Sequence, residues 1–426
     1  MKLWNKNDEL NKKIENFTIG NDRINDLYLA KYDIIGSIAH AKMLCKINIL
    51  NTNELNKLLN ELKKINNDIN NGTFEIEEIF EDVHSKIEYI LTEKLGDVGK
   101  KIHTGRSRND QVLVATQLYL KDELSEIKLL TKELFDILIK LSNENKENLI
   151  PGYTHMQVAM PSSFGLWFSA YAECLIDDIL YINTAFKIND QNPLGSAAGY
   201  GSSFKIDRDF TTKELGFSDL KYNVVSAQMN RGKSEKSVAI AIGSIAHTLS
   251  KFSADICFYM TQELNFFSFP NEITTGSSIM PHKKNPDVFE LIRAKCNIIQ
   301  SLSNEFTIVS TNLTSGYHRD MQVFKGKIIE SVNEIKNCIE IMSYTIQKIQ
   351  IREKIVDDEK YKYMFSVENI NDLVSKGMTF RDAYLKISNE IELNKFKPNR
   401  KFNHTLKGSI GNLCLKEIKL KMKNTY

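Results

Sequence analysis

A chain of 426 residues, 42% hydrophobic and 26% charged, is long enough for two or three domains around a sizeable core. Its formal net charge of +2 excludes the strong field that would draw a protein to nucleic acid or an anionic membrane. Six widely spaced cysteines without a CxxC pair predict reduced, buried thiols, and a polar start with no long apolar run predicts a cytoplasmic protein.

Residues 1–110 read as a mostly helical N-terminal segment. Ile34, Ile38, Ala41 and Leu44 share one face of an amphipathic helix. Leu50 to Ile69 predicts a second helix, and FEDVHSKIEYILTEKLG a third. Asp82 and His84 fall at the start of the third, where the helix dipole favours an acid. KIHTGRSRND (101–110) then gathers His103, Thr104, Arg106, Ser107, Arg108 and Asn109 before the longest helix. Two arginines two apart with hydroxyls between them suit a carboxylate, because a guanidinium bonds both oxygens at once. The plainer alternative is a charged loop that caps the helix through Asp110.

From 111 to 351 the pattern is very regular. Leu120, Leu124, Ile127, Leu130, Leu134, Ile137 and Leu141 step by threes and fours. Pro161 is expected to restart a helix that runs through Trp167 toward Ile182. Ile245 to Tyr259, Phe289 to Phe306 and Lys325 to Ile349 supply three more. Five such helices predict an all-α fold with an elongated central bundle. Their stripes exceed what one bundle covers, so subunits are expected to pair along them. Residues 352–426 read as a small helical domain, with ENINDLVSKGMTFRDAYLKIS broken at Lys376-Gly377. The second of these helices has too few cations to read DNA, and KEIKLKMK is expected to be a solvated face.

The loops carry the polar groups. GYTHMQVAMP places Thr154 and His155 between two long helices, and an imidazole suits proton transfer near neutral pH. His40, His247 and His404 are expected to be structural. PLGSAAGYGSSF is glycine- and serine-rich but lacks the GK[ST] ending of a phosphate loop. TGSSIMPHKKNPDVFELIRAK (275–295) sets Gly276 before two serines and Pro286 at a helix start. Hydroxyls, ammoniums and an amide before a helix N-terminus make an anion site, although a solvated turn fits the composition equally well. There is no HExxH, no Cys/His cluster and no acidic calcium loop, so no metal and no cofactor is expected.

GSSIMPHKKNP resembles the signature loop of the fumarase/aspartase superfamily, whose members eliminate fumarate from substituted succinates. The resemblance implies that Ser277 abstracts a proton from carbon and that Lys283 binds a substrate carboxylate, with Asn285 close by. GYTHMQVAMP is similar to the second active-site segment, which implies that Thr154 contacts a carboxylate and His155 protonates the leaving group. Ser107-Arg108-Asn109 resembles the argininosuccinate lyase branch. That branch implies Asp26 near the arginine end of the substrate, and Asp82 and His84 either beside the substrate or just behind the residues that touch it. It also implies that Tyr317, Gln322 and Lys325, in SGYHRDMQVFKGK, hold the argininosuccinate side.

This sequence departs from the branch twice. TIGNDRIND is two residues longer than the usual loop, with Asp22 where many members have serine, and Lys233 in AQMNRGKSEK replaces an arginine. The resemblance runs from about Phe17 to Leu413. It implies a three-domain fumarase/aspartase-like fold (1–110, 111–351, 352–426) with a multi-subunit helical core, and a homotetramer whose active sites are shared between subunits. The implied reaction is reversible β-elimination of argininosuccinate to arginine and fumarate. A sister lyase acting on adenylosuccinate is the nearest rival, against which GRSRND argues. An inert lens-type structural protein is another, against which intact Ser277, His155 and Lys283 argue.

Overall fold

The computed structural model describes residues 11–401 and 404–426. By contact the chain divides into two compact units, each built from three separate stretches. One comprises Met1–Lys128, Tyr181–Ser244 and Ile298–Lys336; the other comprises Leu129–Leu180, Ile245–Asn297 and Asn337–Tyr426. The five long helices are Arg108–Glu144, Phe164–Asn189, Lys233–Tyr259, Asp287–Ser310 and Val323–Ile346, and each is divided between the two units.

In the first unit, helices Asp22–Lys46, Thr52–Asn70 and Val83–Leu95 pack through Ala30, Ile34, Leu44, Leu58, Leu62, Ile87 and Leu91. Helix starts follow their caps. Asn51 accepts from Glu54 N while the Glu54 carboxylate accepts from Asn51 N, so the second helix begins at Thr52 rather than Leu50. Asp82 caps the third by accepting from Ser85 N.

The second unit departs from the expected all-helical reading at Pro161. Strands Leu149–Thr154 and Gln157–Ser163 form an antiparallel hairpin in which Pro151 faces Pro161, and helix resumes only at Phe164. Below the hairpin lies an aromatic cluster. Asp255 accepts from Trp167 Nε1 (3.0 Å) and Tyr171 Oη (2.6 Å), and Tyr171 packs on Phe252 with ring centroids 4.4 Å apart. Helices Ser366–Ser375 and Phe380–Glu392 close on Ile370, Ala383, Ile387 and Phe396. The break at Gly377 has φ 99°, which suits glycine alone.

The thiols differ from expectation. Cys296 and Cys338 are buried, whereas Cys174 is exposed, and none of the six forms a disulfide. Among the described residues no helix is long and apolar enough to cross a membrane.

Candidate active site

The first unit holds a cavity of about 140 Å³ lined by Asp22, Asp26, Glu81, Asp82, His84, Arg108, Asn109, Arg231, Tyr317, Arg319, Gln322 and Lys325. Eight residues implicated from sequence therefore converge: Asp26, Asp82, His84, Arg108, Asn109, Tyr317, Gln322 and Lys325. Ser107 stands just behind them, with its hydroxyl accepting from Asn109 N at 3.3 Å. Glu81, Arg231 and Arg319 were not among the residues named as binding. All three lie inside segments that the motifs mark: Glu81 in FEDVHSKIE, Arg319 in SGYHRDMQVFKGK and Arg231 in AQMNRGKSEK, two residues before Lys233.

Ion pairs organise this cavity. Lys325 Nζ donates to Asp26 Oδ1 at 2.5 Å and lies 3.3 Å from Asp22 Oδ1. The other Asp26 oxygen accepts from Val83 N at 3.1 Å. Asp26, expected to face a substrate guanidinium, is thus met by the chain's own ammonium. A carboxylate only 1% exposed would be too costly to leave uncompensated. Burial opposes the charge on Lys325, but Asp26 and Asp22 outweigh it and raise the ammonium above the ordinary lysine range. Burial pushes the Asp22 carboxyl up; Lys325 pulls it down only in part.

Arg108 lies 3.1 Å from Glu81 Oε2 and 3.2 Å from Asp82 Oδ2, and donates to Ser85 Oγ at 2.8 Å. Burial favours the neutral Asp82, yet His84, Arg108 and Ser85 hold it below the usual carboxylate range. Arg319 bridges Glu81 Oε1 (3.3 Å) and the Thr18 carbonyl (2.9 Å), which also accepts from Gln322 Nε2 at 2.8 Å. The TIGNDRIND segment, expected as a loop, is helix up to Ile19 and again from Asp22; it reaches the cavity through Asp22 and Asp26, while Thr18 O holds Arg319 and Gln322 in place.

On the same wall, His84 Nδ1 lies 2.9 Å from Asp33 Oδ1, which also accepts from Gln111 Nε2. Burial opposes the imidazolium, but Asp33, Asp82 and Asp26 raise His84 above its ordinary value. The expected pair of carboxylate-binding arginines is corrected here. Arg106 is buried and donates to Ser37 Oγ at 2.9 Å, so of the two only Arg108 lines the cavity.

Asp110 links two motifs. One oxygen accepts from Ser107 N (2.9 Å) at the helix start, and the other from Gly195 N and Ala197 N (2.9 Å each). The PLGSAAGYGSSF loop thus wraps an internal carboxylate. Gly195 sits at φ 85°, where a side chain would also collide with Arg208. Burial pushes the Asp110 carboxyl up to about 6 despite these donors. Its contribution to stability is full below about pH 4, the unfolded carboxyl pKa, and falls as pH rises through about 6. Asp110→Asn should flatten that stretch of the stability–pH curve by about 3 kcal/mol in chemical denaturation. An unchanged slope would remove Asp110 as its source.

The second unit carries the other named residues. Thr275 and Asn285 bridge the feet of the signature loop: Asn285 N donates to Thr275 O at 2.8 Å and Thr275 N to Asn285 O at 3.3 Å. Thr275 Oγ1 donates to the Asp287 carboxylate at the start of the following helix. Between the feet, Lys283 is exposed and Ser277 half-buried. Ser277 Oγ accepts from Met280 N at 3.1 Å and Ile279 N at 3.4 Å. Two N–H groups aimed at a hydroxyl oxygen lower the cost of its alkoxide.

Thr154 and His155 stand exposed at the hairpin tip, where Thr154 pairs with Gln157 around the turn His155-Met156. Both turn residues have positive φ, 52° and 61°, in a turn that usually takes Asn-Gly. Tyr153 anchors the hairpin by packing edge-on against Phe258 at 5.3 Å.

A family model described as Lyase matches residues 2–301. The argininosuccinate lyase of Phocaeicola vulgatus is 54% identical over 422 residues, 99% of this chain and 95% of that protein. The chain belongs to the argininosuccinate lyase family. The argininosuccinate lyase of Bacteroides fragilis (strain YCH46) is 53% identical over 424 residues, 100% of this chain and 95% of that protein. The class II fumarase of Schistosoma mansoni superposes with a TM-score of 0.73 at 16% identity, covering 97% of this chain and 95% of that one. At that identity the likeness concerns the fold, which is the mostly helical fumarase/aspartase-like one expected from the sequence.

Proposed function

We propose that this chain cleaves argininosuccinate reversibly to L-arginine and fumarate. The observation that carries the reading is the 54% identity with an argininosuccinate lyase across 99% of the chain. The cavity in the first unit supports it, since acids and cations placed together suit a substrate end that bears guanidinium, ammonium and carboxylate groups.

In the proposed reaction Ser277, as the alkoxide, takes a proton from the succinyl carbon beside a carboxylate. The electron pair moves into that carboxylate, giving a dianion, and then forms the C=C bond as the C–N bond breaks. The departing guanidino nitrogen receives a proton from His155, directly or through a water it orients. Stabilising the extra negative charge is the main demand, and preorganised donors meet it most effectively. Lys283, Asn285, Thr154 and Ser107 take that role. The N–H groups of Met280 and Ile279 favour the Ser277 alkoxide. Asp26, Asp82, Arg108, Asn109, Tyr317, Gln322 and Lys325 form the binding region for the arginine half.

We further propose a homotetramer with active sites shared between subunits, in the cytoplasm, without a cofactor. Apolar side chains left exposed on the long helices support the assembly: Ile240, Leu291, Ile298, Ile308, Ile341 and Tyr344. The division into segments 1–110, 111–351 and 352–426 belongs to the same proposal.

Fumarate release, followed by its ultraviolet absorbance, tests the reaction. Release from argininosuccinate and not from adenylosuccinate is the expected result; preference for adenylosuccinate, or no release from either, overturns the reading.

A further inference from the structure

Besides His84, four described side chains lining the cavity are cationic: Arg108, Arg231, Arg319 and Lys325. Three are spent on internal acceptors. Arg108 serves Glu81, Asp82 and Ser85; Arg319 serves Glu81 and Thr18; Lys325 serves Asp26 and Asp22. Arg231 is the exception among these described residues. It is 8% exposed, and its guanidinium has neither a hydrogen-bonded nor an ion-paired acceptor. Its face lies over the Tyr317 ring, 5.2 Å from the centroid. Stacking satisfies the π-face but leaves the N–H edge unmet. The acids that influence it are engaged elsewhere: Asp22 pairs with Lys325, and Glu235 accepts from Gly232 N at 2.6 Å.

None of the Arg231 nitrogens is a buried atom lacking a partner, so the N–H edge opens on the cavity, where a planar carboxylate fits it with two parallel bonds. On the proposed function, the substrate offers an amino-acid carboxylate and two succinyl carboxylates. Asp22, Glu81 and Asp82 beside Arg231 disfavour a doubly negative succinyl group and suit an ammonium next to a single carboxylate. We propose that Arg231 is the specificity residue that receives the α-carboxylate of the arginine half. Lys325 is unsuited to that task here because two carboxylates already neutralise it, one of them Asp22 at the position where serine is common.

The experiment compares inhibition of argininosuccinate cleavage by L-arginine and by agmatine, which lacks the α-carboxylate, in the full-length chain and its Arg231→Gln and Arg231→Lys variants. The wild type should prefer arginine. Arg231→Gln should weaken arginine about 10- to 100-fold, the range for losing charge-assisted bonds, and leave agmatine unchanged. KM for argininosuccinate should rise by a similar factor with kcat little altered, the mark of binding lost equally from ground and transition states. Arg231→Lys keeps the charge without the planar fork and should fall between, so it carries the test if the glutamine variant does not fold. Equal weakening of both ligands, or an unchanged preference in an active enzyme, overturns the assignment alone. A wild type that releases no fumarate overturns the functional reading and the assignment together.

Discussion

Replacing Ser277 by alanine is expected to lower kcat for fumarate release from argininosuccinate at least ~10²-fold, the low end for losing a general base. Folding should change little. The loop is closed by the Thr275–Asn285 main-chain bridge, and the bonds lost at Ser277 are a 3.1 Å and a 3.4 Å contact on an exposed loop. Such bonds contribute about 1 kcal/mol at most. Substrate affinity should also hold, because the residues proposed to bind the arginine half, among them Asp26, Arg108, Tyr317 and Lys325, lie outside the signature loop. The neighbouring Ser278 is the control. It is exposed, and Ser278→Ala should keep near-normal turnover. Near-normal turnover in Ser277→Ala with a dead Ser278→Ala would reverse the assignment of the two hydroxyls.

The second large effect concerns Lys325. Lys325→Met removes the cation that compensates Asp26 and Asp22 while leaving both carboxylates in place. Breaking a buried pair from one side costs about 3–5 kcal/mol, because the remaining charge has no solvent to return to. Adding Asp26→Asn should recover part of that loss. The amide oxygen can still accept from Val83 N, and one unpaired charge disappears. Chemical unfolding at a fixed protein concentration reads both numbers. A cost below about 1 kcal/mol for Lys325→Met would mean that the pair is already compensated by water and is not what holds helix Asp22–Lys46 to helix Val323–Ile346.

The hairpin shows where local reading failed. Its turn is His155-Met156, without the Asn-Gly or Asp-Gly that ordinarily marks a two-residue hairpin, and a proline such as Pro161 is commoner at a helix start than in a strand, where it is confined to edges. Left-handed backbone at two side-chain-bearing residues is a strained choice, and the fold keeps it through the Tyr153 anchor and the paired strands. Arg106 failed for a different reason. Its neighbours in sequence are the same polar residues that surround Arg108, and only the position of Ser37 on another helix separates the buried guanidinium from the one in the cavity.

By itself the amino-acid sequence determined the long helices, the start at Asp82 of helix Val83–Leu95, and the loop that carries Ser277 and Lys283. Those features rest on interactions within a few residues: three-and-four spacing, a side chain meeting the N–H three positions on, a proline at a helix start. Tertiary structure alone decided the electrostatics of the cavity. Lys325 meets Asp26 across 299 residues and Arg319 meets Glu81 across 238, so which charges cancel, and that Arg231 is left over, follows from packing. Coulomb energy depends on distance and burial in space, and separation along the chain carries almost no information about either.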